Sequence, residues 1–370
     1  WLNVSHDCNM RCIYCFGHGG SYGGKRELMT KEMAKRSIDF WYNRLGSNNK
    51  SNITFFGGEP FINKDVIKWS IEYIKELTKG DDLEIYYSIT SNGTVFDDEL
   101  IKIMSENKIH PMISIDGGPK IQNMNRPFIS GEGSYEIVKK NIEKLREYFN
   151  TLQARITLIK NNVPYFAETV KHLWELGFTD VSYEIVTIDD KALSLDKDDV
   201  QLLNSQISEL IDITFQNIIE GRHRFFSNVI KICFQIHNRL VNNACSFQGF
   251  STIMVNPSGE FHKCHRMMDQ SDMSIGSIDE GIDWDKYINI KTKPLDELIC
   301  KSCMAISICG GGCAHEHWLY NGDFNKPYEI KCICNKYMMN EAFRLYTKLY
   351  LESPQILNQF FSKEKKEERV

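Results

Sequence analysis

The chain lacks any run of about twenty uninterrupted apolar residues, the length a membrane-spanning helix needs. No charged, apolar, small-residue signal opens it. A basic excess is missing too. The 44 Lys and Arg stand against 49 Asp and Glu, a net charge of −5, which argues against a nucleic-acid binder. Cysteine is absent over the long stretch between Cys15 and Cys233. What remains is ordinary for a soluble globular protein: 42% hydrophobic and 25% charged residues, in a 370-residue chain long enough for two or three domains. The chain opens on Trp1 rather than Met, close before its first cysteine, which suggests a piece of a longer protein.

The twelve cysteines that are present fall in two clumps with ligand-like spacing. In an oxidising compartment such a count would suggest disulfides. The clumping favours two metal-binding regions in a reducing cytoplasm. The first clump is Cys8, Cys12 and Cys15, spaced Cys-x3-Cys-x2-Cys, with Tyr14 before the third and no fourth cysteine nearby. A disulfide would leave one thiol over, and adjacent loop cysteines bridge poorly. Structural zinc closes with four ligands, which His6 or His18 would have to complete. A [4Fe–4S] cluster on three thiolates keeps one iron open. The arrangement resembles the radical S-adenosylmethionine (SAM) superfamily, in which SAM chelates the open iron through its amino and carboxylate groups. An electron from the cluster then breaks SAM into methionine and a 5′-deoxyadenosyl radical.

Through residue 190 the chain reads as alternating strands and helices. Strands are expected at 1–5, 52–56, 84–90, 111–115, 153–159 and 180–186. Helices are expected at 30–45, 64–77, 97–106, 134–149 and 163–176, with Thr30, Asp97 and Ser134 as N-caps. Such alternation implies a parallel sheet with right-handed crossovers, here an α/β, partial (β/α)6 TIM-like barrel over 1–190. Such barrels place their chemistry on loops at the C-terminal ends of strands, where the cysteine triplet falls. A helical bridge over 191–240 leads to a small Cys-rich region over 241–340. That region has too few long periodic segments for a large core, so clusters must staple it. A closing helix at 335–352 and a mixed-charge tail complete the chain over 341–370.

Polar motifs follow the strands. After the second comes Gly57-Gly58-Glu59-Pro60. Glycines let a backbone approach a ligand closely, their carbonyls can accept from an ammonium, and Glu59 can add charge. This resembles the GGE motif that holds the amino group of SAM. After the third and fourth strands come Thr90-Ser91-Asn92-Gly93 and Ser114-Ile115-Asp116-Gly117. Ser91, Asn92, Ser114 and Asp116 could bond the ribose or carboxylate of SAM, although Asn-Gly and Asp-Gly are generic turns. Arg155 on the fifth strand, if buried, needs an anion: the SAM carboxylate, Glu59 or Glu184. Arg126 is either a further contact or a loop residue.

The second clump runs Cys245, Cys264, Cys300-x2-Cys303-x5-Cys309-x3-Cys313, Cys332 and Cys334. A Cys-x2-Cys knuckle with two more thiolates would also read as a zinc ribbon. With the triplet upstream, the spacing resembles the SPASM domain, an extension that carries two auxiliary [4Fe–4S] clusters. The resemblance assigns Cys300, Cys303, Cys309 and Cys332 to the second auxiliary cluster, and Cys245, Cys264 and Cys313 to the first. The fourth position of the first is either Cys233 or open, and Cys334 is supernumerary. Three [4Fe–4S] clusters and SAM are the cofactors implied.

Anaerobic sulfatase maturases resemble the chain in cluster layout and carry an Asp directly after the cysteine that matches Cys264, as catalytic base. Here His265 stands in that place, a candidate to assist proton removal. The strings His6-Asp7-Cys8-Asn9-Met10-Arg11-Cys12, Phe55-Phe56-Gly57-Gly58-Glu59-Pro60 and Gly322-Asp323-Phe324-Asn325-Lys326-Pro327-Tyr328-Glu329 look most like another branch. These are the maturases of Cys-rich ribosomal peptides (sactipeptides and ranthipeptides), which usually carry an N-terminal leader-binding domain. The function implied is hydrogen abstraction from a Cys-containing precursor peptide and thioether crosslinking, with flavodoxin or ferredoxin as reductant. The alternative is peptide oxidation or carbon–carbon crosslinking of the sulfatase-maturase kind. Neither a nucleic acid nor a membrane is expected as a partner.

Overall fold

The computed structural model describes residues 1–46, 49–242, 245, 247, 249 and 252–362, the side chain of Leu295 apart. The charged tail after 362 lies outside the described residues. Among the described residues there are eleven strands: β1 (Leu2–Ser5), β2 (Lys50–Gly57), β3 (Glu84–Ser91), β4 (Pro111–Ser114), β5 (Gln153–Leu158), β6 (Asp180–Ile185), β7 (Phe225–Phe226), β8 (Met254–Val255), β9 (Glu260–His262), β10 (Ser274–Ser277) and β11 (Gly281–Ile282). The first six lie where alternation placed them, with helices between.

Those helices form for local reasons. Helix Lys64–Leu77 buries Val66, Ile67, Ser70, Ile71 and Ile74, one stripe at helical spacing. Thr30 and Asp97 cap as expected: Thr30 Oγ1 accepts from Met33 N at 3.1 Å and Asp97 Oδ1 from Leu100 N at 2.8 Å. Ser134 does not cap. Its hydroxyl donates to the Arg126 carbonyl at 2.7 Å, and Asn123 Oδ1 takes the Tyr135 N–H instead. The closing helix starts earlier than expected, at Glu329, and runs to Glu352, so Cys332 and Cys334 are helical.

Contacts group the chain into two units. The first comprises Trp1–Ile113, Asn123–Phe149 and Gly249–Lys291. Its strands β1 to β4 pair in parallel in that order. On the free side of β1, β8 adds in parallel through Leu2 and Val255, and β9, β10 and β11 follow antiparallel. Val4, Ile38, Phe55 and Ile113 are sealed in its core.

The second unit comprises Ser114–Gln122, Asn150–Gln248 and Thr292 onward. Strands β5, β6 and β7 are parallel there. Helix Glu329–Glu352 packs on helices Lys197–Ile219 and Ser227–His237. The α/β class read from the sequence holds, with its Cys-rich C-terminal region. No helix among the described residues is long and apolar enough to cross a membrane.

Candidate functional site

In the first unit the chain leaves β1 and makes the three-cysteine loop. Backbone bonds pin it to Asn125 and Pro127: Arg11 N donates to Pro127 O at 2.8 Å, and Ile13 N to Asn125 O at 3.0 Å. Cys8 is buried, while Cys12 and Cys15 are half-buried. N–H groups aim at two of the sulfurs. Met10 N lies 3.4 Å and Asn92 Nδ2 3.8 Å from Cys8 Sγ, and Gly19 N lies 3.3 Å from Cys15 Sγ. Burial, with the Glu59 charge next, pushes the Cys8 thiol up to about 12. Binding a metal there must therefore release a proton. Three soft thiols, two of them with N–H donors turned toward the sulfur, fit an iron–sulfur cluster.

The Gly57-Gly58 turn closes on this loop. Gly58 N donates to Ser5 O at 2.8 Å and Glu59 N to Asp7 O at 2.9 Å. A Cβ on Gly58 would lie 2.5 Å from both the Asp7 carbonyl oxygen and Gly20 Cα, so only glycine fits.

Glu59 is fully buried and its carboxylate serves the protein itself. It accepts from Phe61 N at 3.1 Å, Ser91 Oγ at 3.0 Å and Asn92 N at 2.6 Å. Ser91 also accepts from Gly93 N, and Asn92 Nδ2 donates to Asn9 Oδ1 at 2.8 Å. Glu59, Ser91 and Asn92 thus tie the β3 end to the cysteine loop. Tyr14 is buried and accepts from Arg126 Nη1 at 2.8 Å, an arrangement the spacing of the cysteines did not suggest.

His265 stacks on Trp1, with ring centroids 5.1 Å apart, and meets Phe56 and Phe16 at 4.9 and 5.7 Å. It sits in an aromatic box that includes the residue after Cys15.

The second unit holds the remaining candidates. Asp116 is buried, and its Oδ1 accepts from Thr157 N at 3.0 Å. Ser114 ends β4. Arg155 pairs with Glu184 at 2.9 Å, one of the partners offered from sequence, and Lys331 joins the same carboxylate.

Cys300, Cys303, Cys309 and Cys332 line one pocket with Lys331 and Asn335. Asn335 Nδ2 donates to Cys309 Sγ at 3.4 Å. Burial and the neighbouring thiolates push Cys332 up to about 11. Cys334, two residues along the helix, is buried away from that pocket, as the helical period requires. Of the set Cys245, Cys264 and Cys313, Cys264 lies in the first unit and the other two in the second.

Cys233 is wholly buried on helix Ser227–His237 and donates to the Ala342 carbonyl at 3.4 Å. That is the geometry of a helix-packing thiol, and burial raises its pKa strongly. Cys233→Ala should leave iron content unchanged after reconstitution and cost roughly 1–2 kcal/mol of stability from lost packing. Loss of about four irons per chain would instead make it a ligand.

Two buried groups give the cluster-free fold opposing pH responses. Burial pushes the Glu59 carboxyl up to about 7, against the donors from Asn92, Phe61 and Ser91 and the Arg126 charge that lower it. Burial pushes His6 down to about 4, with His262 adding. Folded Glu59 holds its proton more tightly than the unfolded chain does, so its cost to the fold grows as pH rises from 5.5 to 8. Folded His6 holds its proton less tightly, so its cost grows as pH falls over the same window. Each is worth on the order of 1–2 kcal/mol there, and they offset. The cluster-free protein should show a shallow urea-midpoint profile between pH 5.5 and 8. In Glu59→Gln the midpoint should rise with pH, the His6 response unmasked. An equally shallow profile in the variant would contradict the assignment.

The sequence model of the Radical SAM superfamily matches residues 2–173. The cysteine-type anaerobic sulfatase-maturating enzyme of Clostridium perfringens is 24% identical over 333 residues, covering 84% of this chain and 86% of that protein. The structure of native anSMEcpe with bound AdoMet and Cp18Cys peptide aligns over 94% of this chain and 97% of its own, with TM-score 0.77 and 20% identity. Streptococcus suis SuiB bound to precursor peptide SuiA aligns over 89% of this chain and 74% of its own, with TM-score 0.61 and 16% identity. At these identities the likeness to solved structures is one of fold. The superfamily match covers residues 2–173, the three-cysteine loop included, and in that region the chain is a radical SAM enzyme.

Proposed function

We propose that this enzyme removes a hydrogen atom from a side chain of a peptide and oxidises that side chain, as a sulfatase maturase does. The observation that supports this most is extent. The likeness to the peptide-bound anSMEcpe structure covers 94% of this chain, so it runs through the Cys-rich C-terminal region as well as the barrel strands. Thioether crosslinking, the function that the motif strings suggested, has less behind it in these relatives.

When bound, a [4Fe–4S] cluster with SAM on its open iron would supply the electron that splits SAM and the deoxyadenosyl radical that takes the hydrogen. Cys8, Cys12 and Cys15 would hold that cluster. The carbonyls of Gly57 and Gly58 would accept from the ammonium of SAM, while Glu59 keeps Asn92 and the β3 end fixed against the cysteine loop. Asp116 and Arg155 act through the sheet, each already bonded within it. Cys300, Cys303, Cys309 and Cys332, which line one pocket of the second unit, would hold an auxiliary cluster. Overall the side chain loses a hydrogen atom, a proton and an electron. Flavodoxin or ferredoxin would return the enzyme to its reduced state.

His265 favours a second reading, thioether formation, because it stands where sulfatase maturases carry a carboxylate base. Product chemistry separates the two. The reconstituted enzyme, dithionite, SAM and the Cp18Cys peptide should yield an aldehyde that reacts with a hydrazide. A product with neither an aldehyde nor a free thiol would favour the crosslink.

A further inference from the structure

We propose that Arg11 and Arg26 form a cationic clamp on the three-cysteine loop, closing on the Gly19 peptide and raising the reduction potential of the cluster held there. This rests on reading Cys8, Cys12 and Cys15 as cluster ligands.

The Gly19 peptide is the point where the contacts meet. Its N–H donates to Cys15 Sγ at 3.3 Å, and its carbonyl accepts from Arg26 Nη1 at 3.0 Å and Arg11 Nη1 at 3.4 Å. Arg11 Nη1 also donates to the carbonyls of Cys8 at 2.9 Å and Met10 at 2.7 Å. One guanidinium therefore spans the loop from its first cysteine to beyond its last. Arg26 pairs with Asp7, whose Oδ1 accepts from Cys8 N at 2.8 Å. Gly19 has φ +66°, and a Cβ there would press on the Arg11 side chain at 3.1 Å, so the closure requires glycine.

Two positive charges and one negative leave a net positive charge at the Gly19 peptide, on the Cys15 side of the loop, while the Glu59 charge acts on Cys8. Reducing a cluster adds negative charge to it. Nearby cations and N–H donors to the sulfurs therefore favour the reduced form. The Arg26 side chain is 40% exposed, so salt screens part of its effect. Arg11 is more enclosed and holds three carbonyls, so it also fixes the loop's shape. The positive charge lowers the barrier to taking up the electron that SAM cleavage needs.

The test is an EPR-monitored redox titration of the anaerobically reconstituted full chain, following the signal that changes on adding SAM. Arg26→Gln should move its midpoint to more negative potential, about tenfold in the reduction equilibrium, or about 59 mV for one electron. Arg26→Lys, which keeps the charge, should restore it. Arg11→Met should lose iron to a chelator several-fold faster, because it removes the Nη1 donor that holds the carbonyls of Cys8, Met10 and Gly19. A wild-type midpoint in an Arg26→Gln protein with full iron content would overturn the proposal. A wild-type chain with no SAM-responsive signal would fail at the earlier step, the cluster assignment itself.

Discussion

Replacing Cys8, Cys12 and Cys15 together by alanine should abolish 5′-deoxyadenosine formation while leaving iron in the C-terminal region. The effect should be total because the variant leaves no thiol between residues 8 and 15, and the thiolate is the form that binds iron. If each cluster is a cubane, iron should fall from about twelve to about eight per chain. The Cys8 thiol, pushed up to about 12 by burial, is the one whose proton must be displaced, so loading of the wild-type loop should quicken as pH rises. Iron and sulfide analysis beside product measurement gives both readings. Normal 5′-deoxyadenosine from the triple variant would remove the loop from the chemistry.

Gly58→Ala should cost ten- to a hundredfold in SAM cleavage. The added Cβ would lie 2.5 Å from the Asp7 carbonyl oxygen and from Gly20 Cα, both backbone atoms that cannot rotate away. Overpacking of this kind costs roughly 1–3 kcal/mol, which corresponds to that range. The strain falls where Gly58 N and Glu59 N bond Ser5 O and Asp7 O, so it separates the turn from the cysteine loop. Gly46→Ala is the control, because nothing lies within 4 Å of a Cβ there. Equal rates in the two variants would show that the close approach at Gly58 is not needed.

Much of this was legible in the sequence because the signals are local. The stripe of helix Lys64–Leu77 and the cap at Asp97 are set by a few neighbouring residues. The spacing of Cys300, Cys303, Cys309 and Cys332 carried enough chemistry to group four thiols that do line one pocket. Partner choice was not legible. Glu59 offered a carboxylate to a ligand, yet its oxygens are taken by the Asn92 and Phe61 N–H groups and the Ser91 hydroxyl, brought in by strand pairing. Cys233 looked like a possible ligand until its helix was seen to turn it onto Ala342. Arg26, eleven positions past Cys15, carries no pattern at all, and only folding brings it to Gly19. The two-residue strands β7 and β11 are too short for alternation to reveal.

Radical abstraction of hydrogen from a peptide side chain leaves an isotopic trace on the adenosyl product. The reconstituted, reduced enzyme would be given SAM and a Cp18Cys peptide deuterated at its cysteine Cβ. The 5′-deoxyadenosine formed should carry deuterium, as read by mass spectrometry. Absence of any 5′-deoxyadenosine would contradict the account, and 5′-deoxyadenosine without deuterium from a peptide that is nonetheless modified would contradict the site of abstraction.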